Sequence, residues 1–175
     1  MKSSPFIPME EYLEASYRPD RDYVEGRLVE RNVGERDHSL LQATLIAYLF
    51  ARRAELGIHV FPEQRVQVKA DRFRVPDLCI VAGPLPSEQI FRQPPFLCIE
   101  ILSPRDRMAE MQERVDDYLK FGVRYVWVIN PQTRHTLIYT SEGVNEARDG
   151  ILRTENPHIA VNLNEILPST AQNIP

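Results

Sequence analysis

Positive charge is not in surplus in this chain: 21 Lys and Arg stand against 25 Asp and Glu, a formal net charge of −4 at pH 7. That balance excludes a protein that coats nucleic acid through a general basic surface, so any contact with a nucleic-acid backbone has to be local. Cysteine is scarce as well. Cys79 and Cys98 are the only two, both lie in apolar stretches, and neither has CxxC spacing or a nearby His. They are read as reduced core residues in preference to a disulfide or a catalytic thiol. No apolar run approaches a bilayer's width, and the amino terminus lacks the basic-then-apolar pattern of a secretory signal. A cytoplasmic location is therefore expected. Internal repeats, linkers and low-complexity segments are missing too.

What is present is an ordinary globular composition, 43% hydrophobic and 26% charged over 175 residues. This predicts a single domain over residues 1–175 with one well-buried core. Pro8 at a first helical position, followed by acidic residues, predicts a short helix to Glu14. Tyr23 to Glu30 alternates around Gly26 as a hairpin or bulged strand would. Apolar residues at helical spacing from His38 to Glu55 (Leu41, Leu45, Tyr48, Leu49), stopped by Gly57, predict the longest helix. Val60 to Lys69 reads as one alternating strand, and Val75 to Val81 as a short apolar strand interrupted by Asp77. A loop from Gly83 to Pro95 is expected, with a helical turn at Ser87 to Phe91. Phe96 to Leu102 is almost continuously apolar, as a strand buried on both faces would be. A helix from Asp106 to Phe121, a strand from Tyr125 to Ile129 with a hairpin partner at Thr136 to Thr140, and a weak strand near His158 to Val161 complete the order. The whole predicts an α/β fold with a mixed central sheet flanked by helices.

Two acids sit where a plain core would not place them, Asp77 in Arg74-Val75-Pro76-Asp77-Leu78 and Glu100 in Leu97-Cys98-Ile99-Glu100-Ile101. A buried lone carboxylate costs several kcal/mol unless it is paired or holds a cation. Mg²⁺ would suit both, with the carbonyl of Ile101 as a third oxygen donor, because a hard ion that keeps part of its water shell needs few protein ligands. Such an ion orients and activates a water beside a phosphate, which is what phosphodiester hydrolysis requires. Ion pairing of the same acids with arginines such as Arg74 or Arg114 explains their spacing equally well.

Four stretches in order resemble the Uma-two-type endonucleases of the PD-(D/E)XK nuclease superfamily, a restriction-endonuclease-like group abundant in cyanobacteria. They are Tyr23-Val24-Glu25-Gly26, Val75-Pro76-Asp77, Ile99-Glu100-Ile101-Leu102-Ser103-Pro104, and the segment from Tyr118 to Pro131. The resemblance implies a restriction-endonuclease-like fold and a reaction that cleaves DNA with Mg²⁺ or Mn²⁺. Asp77 and Glu100 would be its metal-binding acids, Glu25 or else Glu30 the acid that completes the site, and His38 a secondary candidate at the start of the long helix. A homodimer is what such nucleases often form. The superfamily's strand lysine, two positions after the glutamate, is Leu102 here, and the position matching a lysine of the following helix is Arg114. Arginine stays protonated, so it could clamp a phosphate but not act as a general base. On the sequence, Arg114 could equally pair with Glu110. Gln64 could reach the site from its strand, and Arg72, Arg74, Arg105, Arg107 and Arg114 could form a local phosphate-binding surface. Two other readings stay open: a catalytically impaired nuclease-fold protein that binds DNA or a partner, and a metal-dependent small-molecule phosphodiesterase.

Overall fold

The computed structural model describes residues 6–31 and 35–167. Helix α1 (Met9–Glu14) follows Pro8, which sits just before the first helical residue, and is pinned by the fully buried Tyr12. Strands β1 (Asp22–Val24) and β2 (Arg27–Val29) form an antiparallel hairpin. Its turn residues Glu25 and Gly26 have φ of 49° and 84°. Two consecutive positive φ values match the right-handed twist of a hairpin, and glycine accepts one of them without strain.

The predicted long helix is two pieces. Helix α2 (Arg36–Ala51) ends at Arg52, whose φ of −100° and ψ of 2° leave the helical region. Helix α3 (Arg53–Leu56) adds a turn and closes on Gly57 in the left-handed conformation. The single strand expected from Val60 to Lys69 is also two, β3 (Ile58–Pro62) and β4 (Val66–Lys69), in different sheets. The chain turns between them at Glu63, φ 49°, and the even alternation of side chains runs across the turn, hiding it from a pattern search. Likewise Val75 to Val81 is not one strand. Strand β5 (Arg72–Arg74) belongs to a small sheet, β6 (Leu78–Ala82) to the large one, and Val75, Pro76 and Asp77 bridge the two. No helical turn forms at 87–91, where Phe91 instead makes a bridge to Val66.

Strand β7 (Leu97–Ile101) is buried throughout. Helix α4 (Met108–Phe121), capped by Gly122 at φ 111°, crosses over to the parallel strand β8 (Tyr125–Ile129). Strands β9 (Thr136–Thr140) and β10 (Gly143–Glu146) extend the sheet, and β11 (Ile151–Arg153), β12 (Ala160–Asn162) and helix α5 (Leu163–Ile166) follow. The large sheet runs β10-β9-β8-β7-β6-β3 and is antiparallel except at β7 and β8; the small one runs β2-β1-β5-β4.

Alternation along β7 divides the core. Leu97, Ile99 and Ile101 pack with Leu41, Leu45 and Leu49 of α2, while Cys98 packs with Met111, Val115 and Tyr118 of α4. Glu100 has the parity of Cys98 and so faces α4. Among the described residues no helix is long and apolar enough to cross a membrane. The fold predicts that Leu45→Ala, which empties a fully buried position on α2, costs about 2 to 5 kcal/mol of stability in denaturant unfolding. Leu40→Ala, on the same helix at 43% exposure, should cost less than about 0.5 kcal/mol.

Candidate active site

The antiparallel register of β6 on β7 pairs Leu78 with Ile99. Carried one residue further, it sets Asp77 across from Glu100 at the end of the sheet. The backbone N–H of Ile101 donates to Asp77 Oδ2 at 2.7 Å, which fixes that carboxylate one residue from Glu100. Pro76 ahead of it holds the chain extended out of the small sheet, and Gln42 of α2 donates to the Asp77 carbonyl at 3.1 Å. Asp77 and Glu100 are 3% and 1% exposed, yet both line one cleft with Arg31, His38, Ile101, Ser103, Asp106 and Arg114.

Each acid is held by cations. Asp77 Oδ1 takes a close contact from Arg31 Nη2, and His38 Nε2 lies 3.3 Å from Asp77 Oδ2. Glu100 Oε1 accepts from the Tyr118 hydroxyl at 2.6 Å, and Oε2 lies 3.3 Å from Arg114 Nη1. Burial works against ionised Asp77, but the hydrogen bond from His38 and the charge of Arg31 outweigh it and hold the pKa below the ordinary value. Glu100 is the opposite case. Burial and the charge of Asp77 overcome the pull of Arg114, Arg31 and the Tyr118 hydroxyl, pushing it up to about 7. For His38, burial disfavours the imidazolium, yet the bond to Asp77 leaves its pKa raised.

Behind the cleft the charges alternate. Arg114 Nε is 3.3 Å from Asp22 Oδ2, and Asp22 accepts from Arg74 Nη1 and from the N–H of Val75, both at 3.0 Å. Arg74 Nη2 donates to Asp117 Oδ2 at 2.7 Å, and Asp117 also accepts from Arg72 at 3.0 Å. Glu113 and Glu25 close the row on Arg72, at 3.0 and 2.5 Å.

The cleft thus gathers Asp77, Glu100, Ile101, His38 and Arg114 of the residues singled out from the sequence. Glu25 stands apart: its side chain is 62% exposed and bound to Arg72 at the hairpin turn. Glu30 is 76% exposed and pairs with Arg21. His38, the secondary candidate at the start of the long helix, is 9% exposed, with its ring tied to Asp77. Arg114 bonds Glu100 and Asp22, not Glu110, whose partner is the exposed Arg107. Arg72 and Arg74, expected as part of a phosphate-binding surface, are 8% and 3% exposed and committed to carboxylates, which corrects that reading. Gln64 donates to the carbonyls of Arg65 and Gln89 and lines no part of the cleft. The sequence reading missed Asp22 and Arg31. Asp22 begins a strand whose next residue is buried, and its acidity next to Tyr23 was the available signal.

Two outcomes follow for stability. Asp117→Asn removes the shared charge partner of Arg72 and Arg74 and should cost about 3 to 5 kcal/mol, read as a loss in denaturant midpoint. Glu100 releases its proton later in the folded than in the unfolded chain, from an ordinary 4.5 to about 7. The folded state therefore binds more protons in that window, and this group's contribution is complete below it and falls as pH rises through it. Glu100→Gln, a permanently neutral side chain, should flatten the decline between those pH values in unfolding measurements.

The fold also has known counterparts. A crystal structure from Anabaena variabilis, titled as a "putative nuclease belonging to DUF820", superposes with a TM-score of 0.78 at 21% identity, over 91% of this chain and 97% of that one. That similarity shows a shared fold. No curated protein matches the chain. The Uma2 family, described as "Putative restriction endonuclease", matches residues 9–170, and this chain belongs to it.

Proposed function

We propose that the chain is a metal-dependent endonuclease that hydrolyses DNA phosphodiester bonds, with Asp77 and Glu100 holding Mg²⁺ or Mn²⁺. The observation that carries the reading is the convergence of two buried carboxylates, facing each other at one end of the β6–β7 register, on one cleft. Family membership supports nuclease chemistry in general; the DNA substrate and the metal are the further steps proposed here.

The donors fit such an ion. They are hard oxygens, and among the described residues no three His, Cys, Asp or Glu side chains form a ready cage. Two carboxylates and the Ile101 carbonyl suit a cation that keeps most of its own water, as Mg²⁺ does. When bound, the ion would activate a water and offset charge on the phosphate. The chain's own residues do the rest. The Ile101 N–H and His38 fix the Asp77 carboxylate, and Tyr118 fixes Glu100. Arg114 stays protonated beside Glu100 and can neutralise a phosphate oxygen, while Leu102 leaves the strand without its lysine.

One observation favours the second reading, a nuclease-fold protein that binds DNA without cutting it. Every carboxylate oxygen of Asp77 and Glu100 already has a partner from the protein. Nicking of supercoiled plasmid by the purified chain separates the readings. With Mg²⁺ or Mn²⁺ the wild type should nick, while chelator, Asp77→Asn and Glu100→Gln should each reduce the rate by at least about a hundredfold without loss of the folded state. Equal nicking by wild type and variants would mark a contaminant and sink the proposal. Turnover of bis(p-nitrophenyl) phosphate undiminished by competing DNA would point to the small-molecule phosphodiesterase.

A further inference from the structure

We infer that Arg31 is the substrate-phosphate arginine of this site, parked in the free protein on the Asp77 oxygen that the divalent cation needs, so that metal and phosphodiester bind cooperatively. The inference rests on the proposed nuclease reading and adds to it an order of assembly.

Three observations carry it. Asp77 Oδ2 is committed to a backbone N–H and to His38, which leaves Oδ1 as the oxygen able to face an added ligand, and Arg31 Nη2 occupies it. Arg31 is on the cleft wall, with a side chain 8% exposed. Its anchoring is also the weaker of the cleft's two arginines. Arg114 is tied between Asp22 and Glu100, whereas among the described residues Arg31 makes its one ion pair to Asp77, and its buried Nε has no partner.

A guanidinium and a divalent cation on one carboxylate oxygen repel strongly in a poorly hydrated site, so the two compete for it. The ion's arrival therefore favours release of Arg31. A guanidinium released in the cleft needs an anion whose geometry accepts its planar fork, and a phosphodiester's two non-bridging oxygens supply one. Substrate thus lowers the cost of freeing Asp77 for the metal, and metal lowers the cost of freeing Arg31 for the substrate, which makes the coupling reciprocal.

The test measures Mn²⁺ binding directly, from the loss of the free-ion electron paramagnetic resonance signal, with the full chain as wild type, Arg31→Met, Arg31→Lys and Asp77→Asn. Without nucleic acid, Arg31→Met should bind Mn²⁺ about tenfold more tightly than wild type, and Arg31→Lys should stay near wild type. Thymidylyl-thymidine, a single phosphodiester, should tighten Mn²⁺ binding to wild type but have much less effect on Arg31→Met. Its uncharged methylphosphonate counterpart should leave both unchanged. Equal Mn²⁺ affinity in wild type and Arg31→Met, with Asp77→Asn weaker than both, would overturn the inference and leave the metal reading standing. Absence of Mn²⁺ binding in every protein, with or without the dinucleotide, would remove both. Should Arg31→Met fail to fold, equal enhancement of wild-type binding by the charged and the uncharged dinucleotide overturns the inference on its own.

Discussion

The arrangement depends on a row of buried charges that alternate in sign from the cleft to the hairpin: Glu100, Arg114, Asp22, Arg74, Asp117, Arg72. A charge withdrawn from water this far is tolerable only beside its opposite, and removing one member strands its neighbours. The row joins parts that apolar packing keeps separate. Tyr12, Tyr23, Leu28 and Phe73 make a small core under the four-stranded sheet, distinct from the clusters on either side of the six-stranded one. What spans the gap is Asp22 and the two arginines of β5 on one side, and Arg114 and Asp117 of α4 on the other. Their bonds have fixed direction and length, so they set the small sheet against α4 more narrowly than interchangeable apolar contacts would.

Compensation along this row is uneven, and the imbalance falls at the cleft. Asp117 lies between two arginines and Asp77 against Arg31 and His38, and both have lowered pKa values despite the burial that opposes them. Glu100, equally buried, is pushed up to about 7, because burial and the nearby Asp77 outweigh its attractive partners. The difference is one of balance: burial, the largest influence on Glu100, prevails over its partners there, whereas at Asp77 and Asp117 the partners prevail over burial.

The elements carried by strong period or punctuation were readable from the residues alone. The apolar run of β7, the helical spacing of α2 and α4, the glycine stops after α3 and α4, and the Glu25-Gly26 hairpin all lie close to where they were expected. What failed did so for a local reason. The turn at Glu63 leaves the alternation of its two flanking strands in phase, and Pro76-Asp77 joins two sheets without breaking the apolar run around it. The two acids stood out as polar residues in apolar surroundings, whereas Asp22 and Arg31 lie in segments already rich in charge. Nothing local distinguishes a guanidinium that will be buried against Asp77 from Arg27, which is exposed four residues earlier. The identity of its partner, 46 residues away, is a tertiary fact.

The exchange of a strand lysine for Leu102 has a structural counterpart in how positive charge reaches Glu100. Leu102 is half-buried and packs with the α4 cluster, so the strand contributes apolar contact where a cation is usual for the superfamily. Arg114 reaches the same carboxylate from the helix, and its other nitrogen is held by Asp22. A lysine ammonium is a point charge whose pKa falls readily on burial, so it can give up or take a proton; a guanidinium between two carboxylates stays charged. Moving the charge from strand to helix therefore keeps the electrostatic part of the lysine's work and discards the proton-transfer part. In the proposed reaction, an arginine that stays ionised would offset charge on a phosphoryl group, and a proton taken from an attacking water would have to go to another acceptor. Within the cleft, the base closest in character is His38, whose Nε2 is engaged by Asp77 and whose Nδ1 has no partner among the described residues.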